Sequence, residues 1–282
     1  MNKILEKLSV LSNIPRHRIL LVALPIIGVL VLGLVIYQFA FAAPQGNASS
    51  EVYAVRERTS IQQISGELKD RGFVKSSLGF RAIFSLRGSG SVEVGAYRIS
   101  KAMSAWQIAG ILYNEPELRW VTITEGLRKE EIAVLLADVL KWSPEDKDKW
   151  VHTYTAMEYD YIEGVYFPDT YLIPINEAPL DVAKRLRAHF QEKFTPYAKE
   201  AAKQNIKWTT TLTLASIVQR EAAGKDDMPL IAGVLWNRLL KGQKLEVDAT
   251  VQYARGNTGN GWWASISPAD KQIDSAYNNL PQ

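Results

Sequence analysis

The sequence predicts an α+β protein: an N-terminal transmembrane helix, a small α+β lobe, and a larger mixed α+β lobe. Three observations predict this class. Residues Ile19 to Phe41 are almost unbroken apolar sequence, with Tyr37 and Gln38 as the polar exceptions near its end. Beyond them, short alternating segments exchange with segments of helical period, as when strands and helices share a core. The chain is 282 residues long and 47% hydrophobic, so enough follows the apolar run to bury a core of its own.

At about 1.5 Å rise per residue the apolar run is long enough to span a bilayer with some tilt. Pro25, Gly28 and Gly33 are tolerated in such helices. Lys3, Lys7, Arg16 and Arg18 precede the run, with Glu6 as the one acid. The positive-inside rule then places residues 1–18 in the cytoplasm and 19–41 across the inner (cytoplasmic) membrane as a single pass. Everything beyond is extracytoplasmic, or periplasmic. A cleaved signal peptide is the competing reading, since Ala40-Phe41-Ala42 resembles a cleavage site, but its apolar stretch is shorter.

A net charge of +3 without a basic stripe gives no case for nucleic acid. The absence of cysteine excludes thiolate metal sites and cysteine nucleophiles. His17, His152 and His189 show no ligand spacing, so neither metal nor cofactor is expected. His17 falls in the cytoplasmic flank; His152 and His189 read as surface residues of helices.

Residues 42–50 are small and polar and read as a juxtamembrane linker. The small lobe, 51–117, has the order β-α-α-β-α. Val52 to Val55 alternates as a strand, Thr59-Ser60 starts a helix that Gly72 stops, and a second helix covers Ser76 to Leu86. Val92 to Ile99 is a strand with a glycine bend, and Ser104 opens a third helix. The larger lobe, 118–282, begins with a strand at Arg119 to Ile123. Helices follow at Glu130–Leu140, Pro144–Tyr154, Leu180–Phe194, Thr211–Ala223 and Pro229–Lys241. Ile162 to Pro174 reads as an ordered loop or short strand, Leu245 to Tyr253 as a strand, and Gly256 to Ala264 as a mobile surface loop.

One helix carries a chemical signal. Around the segment Leu212 to Ala223, Leu214, Ile217, Val218 and Ala222 share a side, and Glu221 falls between Ile217 and Leu214. A carboxyl group enclosed by apolar side chains resists ionising. A carboxylic acid kept protonated near neutral pH is what cleavage of a glycosidic bond needs. The plainer alternative is a glutamate at a helix end, reaching water or pairing with Arg220 or Lys225.

Five segments together resemble a known family. They are Thr122-Ile123-Thr124-Glu125-Gly126-Leu127, Glu163-Gly164-Val165-Tyr166-Phe167-Pro168-Asp169-Thr170-Tyr171, Leu214 to Glu221, Asn237-Arg238-Leu239, and Asp248-Ala249-Thr250-Val251-Gln252-Tyr253. In that order they resemble the endolytic murein transglycosylase (MltG, YceG-like) family of bacteria, over nearly the whole chain after the linker. The resemblance implies a LysM-like small lobe and cleavage of peptidoglycan strands, including nascent ones, between N-acetylmuramic acid and N-acetylglucosamine. The product would carry a 1,6-anhydromuramyl end. It also implies a membrane-anchored place beside cell-wall synthases, and Glu221 as the single catalytic residue. Relatives often carry a second glutamate two positions earlier, where this chain has Gln219.

Such a reaction suits a lone acid. The muramyl C6 hydroxyl is the nucleophile, so no second carboxylate must activate water, and attack within one sugar gains the advantage of held geometry. Asp248, Asn237 and Tyr166 are the further candidates for substrate binding. Asp248 reads equally as a cap or turn acceptor, and Asn237-Arg238 as a structural corner. Tyr166, Phe167 and Tyr171 read either as sugar-stacking rings or as core. Trp262-Trp263 is a stacking candidate, and Asp169 reads as bonding its own backbone. Relatives continue past the segment matching Ser275 to Asn278, so a shortened C-terminus is expected. Two other readings stay open: a non-catalytic, membrane-anchored peptidoglycan-binding or scaffold protein, and a water-using muramidase with Asp248 opposite Glu221.

Overall fold

The computed structural model describes residues 16–88, 90–156, 163–278 and 280. Most of the expected cytoplasmic flank, Ile162 at the head of the aromatic loop, and the last two residues lie outside these. The chain divides into two compact units, one ending at Arg119 and the other beginning at Trp120.

The first unit starts with helix α1, Arg16–Ala40. Its Ala23–Ala40 stretch has a mean hydropathy of 2.2 and contains no buried residue. A helix apolar on all sides and unburied in protein fits a single-pass membrane anchor. Among the described residues it is the one helix long and apolar enough to cross a membrane.

Strand β1 (Ser50–Val55), helices α2 (Ile61–Asp70) and α3 (Ser77–Leu86), strand β2 (Gly95–Ser100) and helix α4 (Ala105–Tyr113) follow. The order is the one the sequence predicts, and the caps show why. Ser60 and Ser104 each form a reciprocal capping box, with Gln63 and Gln107 three residues on. Ser76 Oγ accepts from Gly79 N at 3.0 Å. Ile64 and Leu68, one turn apart, bury the inner stripe of α2 against Tyr53, Phe80 and Ile108. β1 and β2 pair antiparallel from Ser50↔Ser100 to Val55↔Gly95. Gly95 has φ of 153°, and a Cβ there would lie 2.6 Å from the Pro116 ring and 2.7 Å from the Leu118 carbonyl oxygen. Only glycine fits that approach.

The linker is not a loose tether. Phe41 O accepts from Ala105 N at 2.9 Å and Gln45 N donates to Lys101 O at 3.0 Å. Ser100 Oγ donates to Ala48 O at 2.8 Å, and Lys75 Nζ to Gln38 O at 2.8 Å. Small polar composition predicted a linker; the bonds lay it along the lobe.

In the second unit, strand β3 (Leu118–Thr122), which crosses the unit boundary, leads to helices α5 (Lys129–Leu140) and α6 (Pro144–Lys149). Ser143 caps α6 as expected, but the helix continues as a π turn, Trp150–Tyr154. Lys129 Nζ donates to the Val151 and Thr155 carbonyls at 3.0 and 3.1 Å, holding the groups that this wider turn frees. Strand β4 (Thr170–Pro174) neighbours β3, with Ile123 N donating to Asp169 O at 2.9 Å. Helices α7 (Pro179–Lys203), α8 (Trp208–Glu221), α9 (Met228–Leu240) and α10 (Asp248–Arg255) complete the unit. The main core joins Ile132, Leu136, Trp150, Ile173 and Leu186; a smaller one joins Ile217, Val218, Leu235 and Val247.

Three expectations are corrected. α7 runs on through Pro196 to Lys203. Residues 248–255 are helical where alternation over Leu245 to Tyr253 predicted a strand. Their short apolar run suits either period, and Val247 and Val251, four apart, are both buried. The 256–264 loop is tied down: Gln252 Nε2 donates to the Trp263 and Ala264 carbonyls at 3.2 Å, and Arg255 Nη2 to Ala264 O at 2.6 Å.

Candidate active site

Four of the five motif segments reach one cluster in the second unit, organised around Arg128. This residue precedes α5; its own N–H donates to Glu131 Oε2 at 3.0 Å, closing the helix start. The residue is 7% exposed. Its guanidinium lies 4.2 Å from the Tyr253 ring centroid and 4.4 Å from that of Trp262. It also donates to Tyr253 O at 2.9 Å and to Glu130 Oε2 at 3.2 Å. A buried guanidinium is tolerable when stacked and bonded in this way. Arg220, in the last turn of α8, stacks on Trp263 at 3.9 Å. Gly126, at φ of 81°, keeps the chain close to it: a Cβ there would lie 3.6 Å from Arg220 Nη1.

Glu163 joins the aromatic loop to this cluster. Oε1 accepts from the Lys129 backbone N–H at 2.9 Å, at the start of α5, and Oε2 from the Tyr253 hydroxyl at 3.3 Å. Burial pushes its carboxyl above the usual carboxylate range, and Glu130 adds to the rise. The Lys129 amide, the Arg128 charge and the Tyr253 hydroxyl pull the other way. Burial, with the Glu163 charge second, likewise raises the Tyr253 phenol.

Glu221 is the last residue of α8, adjacent in sequence to the stacked Arg220. It is exposed. The apolar enclosure expected from the helical pattern is therefore absent: Ile217 and Val218 turn inward to the small core, and Glu221 lies past their edge in the final turn. Asp248 is exposed in the first turn of α10, not on a strand, and a carboxylate there suits the helix dipole. Asn237 is exposed on α9, while the neighbouring Arg238 bonds the Leu245 carbonyl and Glu246, which is the structural-corner reading.

Tyr166 is corrected. It is 4% exposed with its ring 5.2 Å from Trp150, so it has no face to offer a sugar. Tyr171 is also buried, its hydroxyl donating to Phe167 O at 2.5 Å. Asp169 accepts from Thr170 N at 2.7 Å and pairs with His189 Nε2 at 2.8 Å. The Thr170 bond first, then His189, hold its carboxyl below the usual range. His189 is thus more than a surface residue, since Phe167 and Tyr171 also meet its ring edge-on. Trp262 and Trp263 are half-buried. Sequence reasoning missed Arg128, whose only signal was its place before an amphipathic helix. In the sequence Arg220 reads only as an ion partner for Glu221.

Thr209, Thr210, Thr213, Leu214, Leu239 and Leu245 line an open groove of about 220 Å³. Glu221 is not among the lining residues; Thr213 and Glu221 stand about 12 Å apart along the helix axis.

A sequence model of the YceG-like family matches residues 53–280. The chain belongs to the YceG-like family. It is similar to the endolytic murein transglycosylase of Bacillus subtilis, 28% identical over 244 residues, covering 78% of this chain and 66% of that protein. The enzyme of the same name from Streptococcus pneumoniae D39 is 26% identical over 268 residues, covering 82% of this chain and 49% of the relative. This YceG-like chain thus spans from about half to about two thirds of the length of these curated relatives. A solved structure of a yceG-like protein from Listeria monocytogenes aligns with a TM-score of 0.49 at 24% identity, covering 82% of each chain.

Proposed function

We propose that this YceG-like chain is an endolytic lytic transglycosylase of peptidoglycan. It cleaves glycan strands, nascent ones included, between N-acetylmuramic acid and N-acetylglucosamine, leaving a 1,6-anhydromuramyl end. Glu221 is the single acid and base, and the helix α1 holds the chain at the membrane with its lobes outside. The small lobe takes the LysM-like role of holding glycan, and cell-wall synthases are its neighbours. The observation that carries the reading is the meeting of family segments at the C-terminal turn of α8, with relatives named for this activity.

Glu221 protonates the leaving oxygen as the glycosidic bond breaks. It then takes the proton of the muramyl C6 hydroxyl as that oxygen closes on C1, so no water is consumed. The carboxyl is exposed in the free chain. A glycan strand laid over the α8 end supplies the enclosure that the protein does not, displacing water from the acid as it binds.

Mass spectrometry of products from isolated glycan strands tests this with the full chain in detergent. Wild type releases anhydro-ended fragments, and Glu221→Gln lowers the rate by about 10²–10⁴-fold while keeping its fold. Fragments heavier by one water indicate a muramidase and end the assignment. The exposure of Glu221 favours one other reading, a non-catalytic peptidoglycan scaffold. Binding without any release of fragments would establish it.

A further inference from the structure

We infer that Arg220 is a substrate-reading residue that binds a carboxylate on the muramyl side chain. The inference rests on peptidoglycan being the ligand, as proposed above, but not on Glu221 performing the cleavage. Arg220 is exposed, and its guanidinium lies 3.9 Å from the Trp263 ring centroid. No carboxylate among the described residues pairs with it. By contrast, Arg128, Arg238 and Arg255 of the same unit each hold an acid, at 3.2, 3.3 and 3.1 Å.

Stacking fixes the plane of a guanidinium and leaves its N–H edge in that plane, the fork that a carboxylate accepts two bonds from. The platform is itself fixed, since Gln252 Nε2 bonds the Trp263 carbonyl at 3.2 Å. Gly126 flanks Arg220 Nη1 with backbone alone, where a Cβ would lie 3.6 Å from it. The fork is therefore preorganised, charged, open to solvent and one residue from Glu221. Of the groups a glycan strand carries, the sugars are neutral. The carboxylates belong to the muramyl arm, either at the stem peptide or, once the peptide is removed, at the lactyl group itself. Arg220 thus supplies a contact that a neutral polysaccharide does not satisfy, which sets muramyl strands apart from other β-linked glycans.

Binding to the full chain in detergent, in the Glu221→Gln background so that strands survive, tests the inference. Three strand preparations are used: peptide-bearing, peptide-stripped with free lactyl carboxylates, and stripped with those carboxylates esterified. Arg220→Gln weakens binding of one carboxylate-bearing preparation by about tenfold and leaves the esterified strands unchanged. Loss confined to peptide-bearing strands assigns the stem carboxylate, and loss confined to stripped strands assigns the lactyl group. Arg220→Lys, which keeps the charge but not the fork, falls between. Equal affinity of Arg220→Gln and Arg220 chains for all three, or an equal loss on all three at unchanged melting temperature, overturns the inference. Such a result leaves the transglycosylase reading standing, because product analysis decides that separately. Absence of anhydro products with this selective binding intact does the reverse.

Discussion

At the scale of single residues, Glu163 was within a motif but its chemistry was not legible. Nothing in the segment Glu163-Gly164-Val165 announces that the carboxylate caps α5 through Lys129 N and meets a tyrosine from 90 positions away. Long-range partners of this kind leave no local periodicity to read. The consequence is measurable. The folded state holds the Glu163 proton more tightly than the unfolded chain, whose glutamates titrate near about 4.3. Its contribution to stability is therefore fully present below that value and lost as pH rises through the raised folded value. Glu163→Gln does not titrate, so the advantage of wild type over this variant shrinks from pH 4 to pH 8. Melting temperatures of both chains across that range check it, and a gap that stays constant excludes the effect. Glu221 shows the opposite limit of sequence reading. Its place on the helix wheel was legible, but a wheel does not say that the apolar stripe ends one turn before the helix does.

At the scale of elements, caps were the most legible feature. Ser60, Ser76, Ser104 and Ser143 each mark a helix start, because a side-chain oxygen that close in sequence has a backbone N–H to satisfy wherever the rest of the chain goes. The Leu245 to Tyr253 segment reads as a strand but folds largely as α10, because a short run with valines at 247 and 251 fits either period until its neighbours are known. The π turn after α6 was invisible for a similar reason: it depends on Lys129, more than twenty positions earlier. Gly95 was seen only as a bend, yet the space around it is the tightest of any glycine described. Gly95→Ala places a methyl group against Pro116 and the Leu118 carbonyl at positive φ, and costs about 2–3 kcal/mol. Urea unfolding of the chain measures this, and a cost below about 0.5 kcal/mol contradicts the packing around β2.

At the scale of the whole molecule, the apolar run and the order of motifs were legible, since both are linear features of a chain. Which residues meet was not: Arg128, Arg220, Tyr253 and Trp263 come from four separate segments. The proposed orientation in the membrane is open to direct test, because the chain has no native cysteine to confuse it. In intact cells with any outer barrier made permeable, Ser50→Cys reacts with a membrane-impermeant maleimide and Lys3→Cys does so only after lysis. The reverse pattern overturns the proposed topology. The bonds from Gln38, Phe41, Gln45 and Ala48 to the small lobe then take on a mechanical meaning. A fluid bilayer lets a lone helix spin and lean, and a slack leash would keep those motions from its cargo. With the proposed anchor in a bilayer, a joint bonded in this way would act as a shoulder, passing a lean of the helix to the lobe and setting its height by hydrogen bonds instead of by the reach of a free strand.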